Sequence, residues 1–313
     1  MYKALVIGCG NIGAGYDFEN DKIITHAKAY YCNPSFSFSV FDANKLLAEK
    51  IGKQYNCGLL DEVNENTIAS FDCISICSPT DTHAAYLQMA LAAKIPLVIC
   101  EKPVSNDETA LARLSELYNN GNSKVLVNYV RRFQPAYSLL QQDITAILVT
   151  EKLTHLLIKY QRGFINNCSH AIDLVEFLLN KKLDLQQIYK YGAVNDHFAN
   201  DPTLSIAAKW NEAVVHIIGL SNVQFGFLEL ELCFESSRVL IKDAGQTVEI
   251  YCLPDKSKTN TLQQLNKTYQ DCNKDFMVSV IKRAEEMLGN KQVADNFIPA
   301  VQLNQKMLNY LNN

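Results

Sequence analysis

The chain has 313 residues, of which 48% are apolar and 20% are charged, so it can bury a large core and form two domains. Its net charge of −4 and pI of about 5.9 offer no general attraction to nucleic acid or anionic membranes. Because it has no basic tract, no run of about 18 apolar residues and no signal-peptide pattern, we expect a cytoplasmic protein without nucleic-acid or membrane partners.

The first 130 residues alternate apolar runs with helical patterns. The runs predict strands at Ala4–Ile7, Phe36–Phe41, Cys73–Cys77, Leu97–Cys100 and Val125–Asn128. Amphipathic helices are predicted at Thr82–Ala93 and Asp107–Asn119. This alternation is typical of an α/β domain with a doubly wound parallel sheet, which we place at residues 1–130.

Strand-like segments follow one another after about Arg132, with few helices between them. They are Lys152–Gln161, Ile188–Ala193, Leu204–Trp210, Val214–Leu220, Gly226–Phe234, Arg238–Ile241 and Val248–Leu253. They predict a second, α+β domain at residues 131–313, built on a large, mostly antiparallel open sheet. Helices at Asp275–Leu288 and Asn296–Leu311 end the chain and pack against one or both domains.

The ten cysteines are scattered singly, with no CxxC pair and no histidine cluster beside them. We interpret most of them as reduced, small hydrophobic residues, and we expect no metal site.

A glycine motif, Gly8-Cys9-Gly10-Asn11-Ile12-Gly13, directly follows the first predicted strand. Such glycines serve a tight turn, a close backbone approach to phosphate and close packing of the next helix on the sheet, and the amides at the helix start bind a dinucleotide pyrophosphate. The motif alone is weakly specific, because glycine turns without ligands are common. The preceding strand and the packing residue Ile12 strengthen the interpretation.

An acidic residue at the end of the second strand completes a dinucleotide-binding pattern, and Asp42 lies there. A carboxylate at this place accepts hydrogen bonds from ribose hydroxyls and repels a 2′-phosphate, so NAD is favoured over NADP. Asp42 lies 29 residues after Gly13, where about 20 is usual. The excess predicts an insertion at Tyr16–Ile24 that interrupts the first helix, which resumes at Thr25–Ala29.

Glu101-Lys102-Pro103 follows the strand Leu97–Cys100. The proline keeps Lys102 extended at the carboxyl end of the sheet, where ligands bind. An ammonium there can stabilise charge that develops on a reacting oxygen, although a solvated lysine at a strand end is the simpler alternative. Glu101 would touch the nicotinamide ribose, orient its neighbours or serve a structural role.

Asn166, His170 and Asp173 are spaced by four and three residues and therefore share one face of a helix. A neutral imidazole can take a proton from a hydroxyl while hydride leaves the adjoining carbon, and return it in the reverse direction. The alternative is a histidine held by Asp173 in a crevice of the core.

The segments GCGNIG, ICSPTDTHAAYLQMAL, ICEKPVS, VNYVRRFQP and NNCSHAIDLVEFL occur in this order, and in them the chain resembles the Gfo/Idh/MocA family of glucose-fructose oxidoreductase and inositol dehydrogenase. The resemblance covers essentially the whole chain. It implies a Rossmann domain, a second domain whose open sheet often mediates oligomerisation, and an active site between the two. We therefore expect a homo-oligomer, a dimer or a tetramer.

The resemblance also implies roles for single residues. Lys102 would lie near the nicotinamide and the reacting carbon, often before a cis proline. Further cofactor contacts would come from Cys77, Ser78, Pro79, Thr80, His83 and Glu101. Substrate contacts would come from Asn128, Arg131, Tyr160 and Arg162. Of Arg131 and Arg132, one could bind a carboxylate or phosphate bidentately and the other form a surface ion pair. Tyr160 and Arg162 end a strand and could merely cover the sheet.

One departure from the family concerns the proton-transfer segment. Relatives commonly show DxGxHxxD, whereas this chain has Asn166, Cys168, His170 and Asp173. An amide at the first position supplies no charge, which makes ketone reduction as plausible as alcohol oxidation.

The sequence thus predicts an NAD-dependent oxidoreductase that moves hydride between nicotinamide and a secondary alcohol or ketone of a sugar, nucleotide sugar or cyclitol. Lys102 and His170 would be catalytic, with Asn166 and Asp173 positioning them. Two alternatives stay open: a non-catalytic, dinucleotide-dependent sensor, and a reductase of a non-sugar imine or enone.

Overall fold

The computed structural model describes residues 1–255 and 261–312. The chain forms two compact units. The first contains Met1–Val130 together with the C-terminal segment from Asp275, and the second contains the segment from Arg131 to Lys274. The C-terminal helices, whose packing the sequence left open, therefore lie in the first unit.

The α-helices are, in chain order, α1 (His26–Cys32), α2 (Lys45–Tyr55), α3 (Glu65–Ile68), α4 (Thr80–Ala92), α5 (Glu108–Asn119), α6 (Pro135–Leu148), α7 (Ser169–Leu179), α8 (Phe276–Gly289) and α9 (Phe297–Asn312). Local signals set several of their starts. The hydroxyl of Thr25 accepts from Lys28 N at the start of α1, and the carboxylate of Asp107 accepts from Thr109 N at the start of α5. The sequence analysis predicted neither α2, α3 nor α6.

The first unit contains a six-stranded sheet in which all strands are parallel. Its strands are β1 (Tyr2–Ile7), β2 (Phe36–Phe41), β3 (Gly58–Leu59), β4 (Cys73–Ile76), β5 (Leu97–Cys100) and β6 (Lys124–Val127). Their order in the sheet is β3-β2-β1-β4-β5-β6. The order reverses beside β1, and ligands of such sheets bind outside the carboxyl ends of the strands at that point.

The C-terminal segment covers the open edge of this sheet at β6. Val125 N donates to Asp295 Oδ2 at 2.9 Å, and Val127 N donates to Asn296 Oδ1 at 2.8 Å. The amide of Asn296 donates in return to Val127 O at 2.9 Å. Backbone groups that an edge strand would leave unpaired are thereby satisfied.

The second unit contains an eight-stranded sheet in the order β14-β13-β12-β11-β7-β10-β9-β8. Its strands are β7 (Leu153–Tyr160), β8 (Gln186–Val194), β9 (Thr203–Trp210), β10 (Ala213–Gly219), β11 (Leu228–Phe234), β12 (Ser237–Lys242), β13 (Thr247–Cys252) and β14 (Gln264–Tyr269). β7 and β10 pair in parallel and the other neighbours are antiparallel. Burial alternates along β11, as expected of a sheet with one packed face.

The predicted fold class is confirmed, since a parallel Rossmann sheet is joined to a mostly antiparallel one. In residues 1–255 and 261–312, no helix has both the length and the apolar composition that crossing a bilayer requires.

Candidate functional site

The glycine loop after β1 has the close contacts that its motif predicts. Gly8 has φ +95°, and a Cβ there would lie 2.7 Å from the backbone carbon of Cys77. A Cβ on Gly13 would lie 2.0 Å from Gly8 O, so the next helical turn packs directly on the loop. Around a Cβ built on Gly10, by contrast, no heavy atom of the described chain comes within 4 Å. That open space fits a turn whose backbone a pyrophosphate approaches closely.

The first helix is interrupted after this loop, as the predicted insertion requires. A single π-helical turn, Asn11–Gly15, begins within the glycine motif, and the chain re-enters a helix only at His26, the first residue of α1. Asp17, which is fully buried, joins the start of the intervening segment to its end through hydrogen bonds. Its Oδ2 accepts from Ile24 N and Thr25 N at 2.7 and 2.8 Å, and its Oδ1 accepts from the Thr25 hydroxyl at 2.7 Å.

Asp42 lies at the carboxyl end of β2, beside the glycine loop. Its Oδ2 accepts from Cys9 N and its Oδ1 accepts from Asn44 N, each at 2.7 Å. The carboxylate is thus fixed beside the glycine loop, and its contact with a ribose stays a prediction. Burial, with the nearby charge of Asp42, raises the pKa of the Cys9 thiol to about 12, so Cys9 stays protonated near neutral pH.

The residues predicted to line the cofactor after β4 lie together at the start of α4. Ser78 Oγ accepts from the Thr82 hydroxyl at 2.7 Å. Burial raises the pKa of the Cys77 thiol well above its ordinary value, which makes Cys77 an inert apolar neighbour. His83 is buried, and its Nε2 lies 2.8 Å from Ser78 O while its Nδ1 lies 2.8 Å from Pro103 O.

Glu101 lies at the carboxyl end of β5 within a buried polar cluster. Its Oε1 is 3.0 Å from His26 Nε2 and accepts from Asn128 Nδ2 at 2.6 Å. Burial alone would raise the pKa of Glu101, but the hydrogen bond and charge of His26, the amide of Asn128 and the charge of Lys102 together lower it. Glu101 is therefore ionised near neutral pH and is held by His26 and Asn128, while its contact with a nicotinamide ribose stays a prediction.

Lys102 is half-buried and precedes Pro103 through a cis peptide bond. Asn128, which we expected to contact substrate, is fully buried and donates to Glu101 instead. We therefore correct its assignment from a substrate contact to a partner of Glu101.

The second unit carries the predicted helix with Asn166, His170 and Asp173. A π-helical turn, Phe164–Cys168, runs directly into α7, and Asn166 and His170 are half-buried there. The sequence analysis missed Asp201, whose carboxylate accepts from Ile165 N at 2.7 Å and from Asn166 N at 2.8 Å. The following proline marks a turn, which is a general signal, but nothing in the sequence indicated the partner of Asp201.

Asp173 is buried and forms a bidentate ion pair with Arg132. Arg132 Nε donates to Oδ2 at 2.9 Å and Nη2 donates to Oδ1 at 2.6 Å. Burial raises the pKa of Asp173, and the charge and hydrogen bonds of Arg132 oppose that rise. Arg132 is thus the arginine that forms an ion pair, with a buried carboxylate of its own chain rather than at the surface, and the proposed action of Asp173 on His170 stays a prediction.

The remaining predicted substrate contacts differ in their surroundings. Arg131 Nη2 donates to Ala244 O at 2.8 Å, so this guanidinium holds a turn of its own unit. Tyr160 is 0% exposed, and its hydroxyl donates to Leu204 O at 2.8 Å and accepts from Leu204 N at 2.7 Å. Because a substrate cannot reach it, we correct Tyr160 to its alternative role inside the sheet. Arg162 is exposed, with φ +65°, and stays a predicted contact.

Residues 2–129 match the model of an oxidoreductase family with an NAD-binding Rossmann fold, GFO_IDH_MocA. An inositol 2-dehydrogenase from Rhizobium meliloti (strain 1021) is 26% identical over 192 residues, which are 56% of this chain and 54% of that protein. The chain thus spans about half the length of this relative.

Solved structures share the fold over nearly the whole chain. A UDP-N-acetylglucosamine 3-dehydrogenase from Acidithiobacillus ferrooxidans has a TM-score of 0.73 and 16% identity, with 99% of this chain and 95% of that one covered. A levoglucosan dehydrogenase in complex with NADH and levoglucosan has a TM-score of 0.78 and 12% identity, with 99% and 97% covered. The Rossmann domain, residues 2–129, is therefore similar to that of the Gfo/Idh/MocA oxidoreductase family.

Proposed function

We propose that this chain is an NAD-dependent oxidoreductase that interconverts a secondary alcohol and a ketone on a sugar, nucleotide sugar or cyclitol. The names of its relatives support this substrate class, since they include an inositol 2-dehydrogenase and a UDP-N-acetylglucosamine 3-dehydrogenase.

The observation that carries the proposal is the arrangement of three groups at the carboxyl ends of the strands of the first sheet. The glycine loop follows β1, Asp42 follows β2, and Glu101-Lys102 follows β5, all at the carboxyl ends of parallel strands. The space beside Gly10 and the fixed carboxylate of Asp42 fit a dinucleotide with an unmodified ribose. We therefore propose NAD rather than NADP as the cofactor.

The roles of the protein groups follow from their chemistry. Nicotinamide, when bound, accepts or supplies a hydride. The ammonium of Lys102 would stabilise negative charge on the substrate oxygen as the hydride moves. His170 would take the hydroxyl proton during oxidation and return it during reduction. Asn166 would bind a substrate hydroxyl through its amide, and Asp173 would keep the start of α7 in place through Arg132.

Replacing Lys102 with methionine tests this assignment, because methionine keeps much of the apolar length and removes the charge. We expect turnover to fall by roughly 100-fold or more, while NADH binding, measured by fluorescence titration, changes less than about threefold. Lys53→Met, on the exposed side of α2, is the matched control and should leave both quantities unchanged. Near-normal turnover in Lys102→Met would remove Lys102 from the mechanism.

The substrate is sought by following reduced-cofactor absorbance with sugars, nucleotide sugars and cyclitols, with NAD(H) and NADP(H) in parallel. NADH binding without turnover of any of them would favour the sensor. Activity on compact carbonyls that is indifferent to hydroxyl pattern would favour the imine or enone reductase.

A further inference from the structure

Two buried histidines that the proposed chemistry does not use contact the neighbours of Lys102 in sequence. His26 contacts Glu101, and His83 contacts Pro103. His26 begins α1 and is fully buried. Its Nε2 lies 3.0 Å from Glu101 Oε1, and within the described residues its Nδ1 has no hydrogen-bond partner. The ring therefore acts on the cluster through Nε2 alone.

Asn128 completes the hold on Glu101 from another element. It follows β6 and donates through Nδ2 to the same Oε1 at 2.6 Å. One oxygen of Glu101 is thus held by donors from α1 and from the end of β6. This double contact fixes the carboxylate of the residue just before Lys102.

His83 holds the residue just after Lys102. It lies on α4, is 2% exposed, and has Pro103 O and Ser78 O each 2.8 Å from one of its ring nitrogens. Carbonyl oxygens only accept, so a protonated imidazole donates to both and a neutral one to one of them. His83 thus lies between the Pro103 turn and the end of β4, within hydrogen-bond distance of both.

The segment is also fixed further along. Ser105 N donates to Asn304 Oδ1 of α9 at 3.2 Å. His26 is itself held in place, because Asp17 accepts hydrogen bonds from Thr25, the residue just before it, and so sets where α1 begins. The turn that carries Lys102 is thus anchored to α1, α4, α9 and the end of β6.

We propose that His26 and His83 are positioning residues for Lys102: His26, together with Asn128, fixes Glu101, and His83 fixes Pro103, so that the lysine is held between two anchored neighbours. This inference rests on the proposed function for its effect on catalysis. A displacement of about 1 Å in a catalytic group can slow a reaction by about two orders of magnitude. The insertion gains a role as well, because it determines the position of His26.

A pair of substitutions at His26 tests this proposal. Glutamine places an amide nitrogen at the same number of bonds from Cα as Nε2, whereas asparagine reaches only to the position of Nδ1. We therefore expect His26→Gln to keep the contact with Glu101 and His26→Asn to lose it. His155→Gln and His155→Asn, at an exposed histidine of β7, form the control pair.

Two measurements are compared between these variants. Hydrogen-deuterium exchange of peptides covering residues 99–106 should be faster by about tenfold or more in His26→Asn and unchanged in His26→Gln. With a substrate identified in the absorbance screen, kcat should fall by about tenfold or more in His26→Asn and by less than about threefold in His26→Gln. The affinity for NADH should be the same in both variants. Thermal unfolding verifies that each variant is folded.

The outcomes separate this inference from the proposed function. Equal exchange in His26→Asn and His26→Gln would overturn the positioning role. A difference in exchange, in a protein that turns over none of the substrates, would support the anchoring and reject the oxidoreductase. If His26→Asn does not fold, Asn128→Ser is used in its place. We expect the same faster hydrogen-deuterium exchange in it, and an unchanged exchange rate would contradict the proposal.

Discussion

Asp42 shows how one carboxylate at a strand end connects loop geometry with cofactor choice. It accepts two backbone amides, one from the glycine loop and one from the turn that leads to α2. Its charge is therefore presented at a fixed place. A 2′-phosphate brought to that place would meet a like charge, and unit charges about 4 Å apart interact by about 1 to 4 kcal/mol between bulk water and a protein surface.

The corresponding prediction concerns Asp42→Asn, which removes the charge and keeps the shape. We expect the ratio of the dissociation constants for NADPH and NADH to fall by roughly tenfold, because repulsion of the phosphate is lost. Fluorescence titration of both cofactors measures the ratio. Asp72→Asn, at the amino end of β4, is the control. An unchanged ratio in Asp42→Asn, or a wild type that prefers NADPH, would contradict the assignment.

Single residues also mark the limits of prediction from sequence. Lys102 and Asp42 were identified because strand-end positions follow from local pattern. Asn128 and Tyr160 occupy equally suggestive positions, yet their side chains are tied to Glu101 and Leu204. Those partners lie far along the chain, so no local pattern reveals them.

At the scale of elements, spacing was the most informative signal. An excess of residues between Gly13 and Asp42 predicted the insertion, and the structure has a break between the turn Asn11–Gly15 and α1. The short helix α3 and the helix α6, which begins at a proline, lacked a clear apolar run at their start. Periodicity alone did not separate them from loops.

The turn before α7 depends on a capping carboxylate from a distant loop. Asp201 accepts the amides of Ile165 and Asn166, which a helix start leaves without intrahelical partners. We expect Asp201→Ala to lower the free energy of unfolding by about 1 to 2 kcal/mol. The melting temperature should fall by roughly 2 to 4 °C for each of these kcal/mol.

Calorimetry or circular dichroism measures this change. Asp201→Asn keeps one acceptor and should lose less stability than Asp201→Ala. Glu212→Ala is the control, because its partner Lys152 and its own side chain are mostly exposed, and such pairs contribute little. Equal losses in Asp201→Ala and Glu212→Ala would show that Asp201 is not a cap.

For the whole molecule, the alternation of strands and helices predicted the first sheet and the succession of strand-like segments predicted the second, while the route of the last 39 residues could not be deduced. Helices α8 and α9 return to the first unit, where Asp295 and Asn296 pair the edge of β6. Amphipathic periodicity shows that a helix has an apolar face but does not identify which surface covers it. Nothing in the local sequence of α8 or α9 indicates which of the two units the helix packs against.

The buried Glu101 makes the stability of the molecule depend on pH. Its pKa is lower in the folded chain than the ordinary value of 4.5, so the folded state favours its ionised form. The stability that this carboxylate contributes is fully present above pH 4.5 and is lost as the pH falls through the folded-state pKa. Glu101→Gln should therefore be less stable than the wild type at neutral pH, and the difference in melting temperature should shrink as the pH falls below 4.5. Asp61→Asn, at a fully exposed carboxylate, should show no such narrowing. A difference between Glu101→Gln and the wild type that stays constant through acid unfolding would mean that the carboxylate is not held in its ionised form by His26 and Asn128.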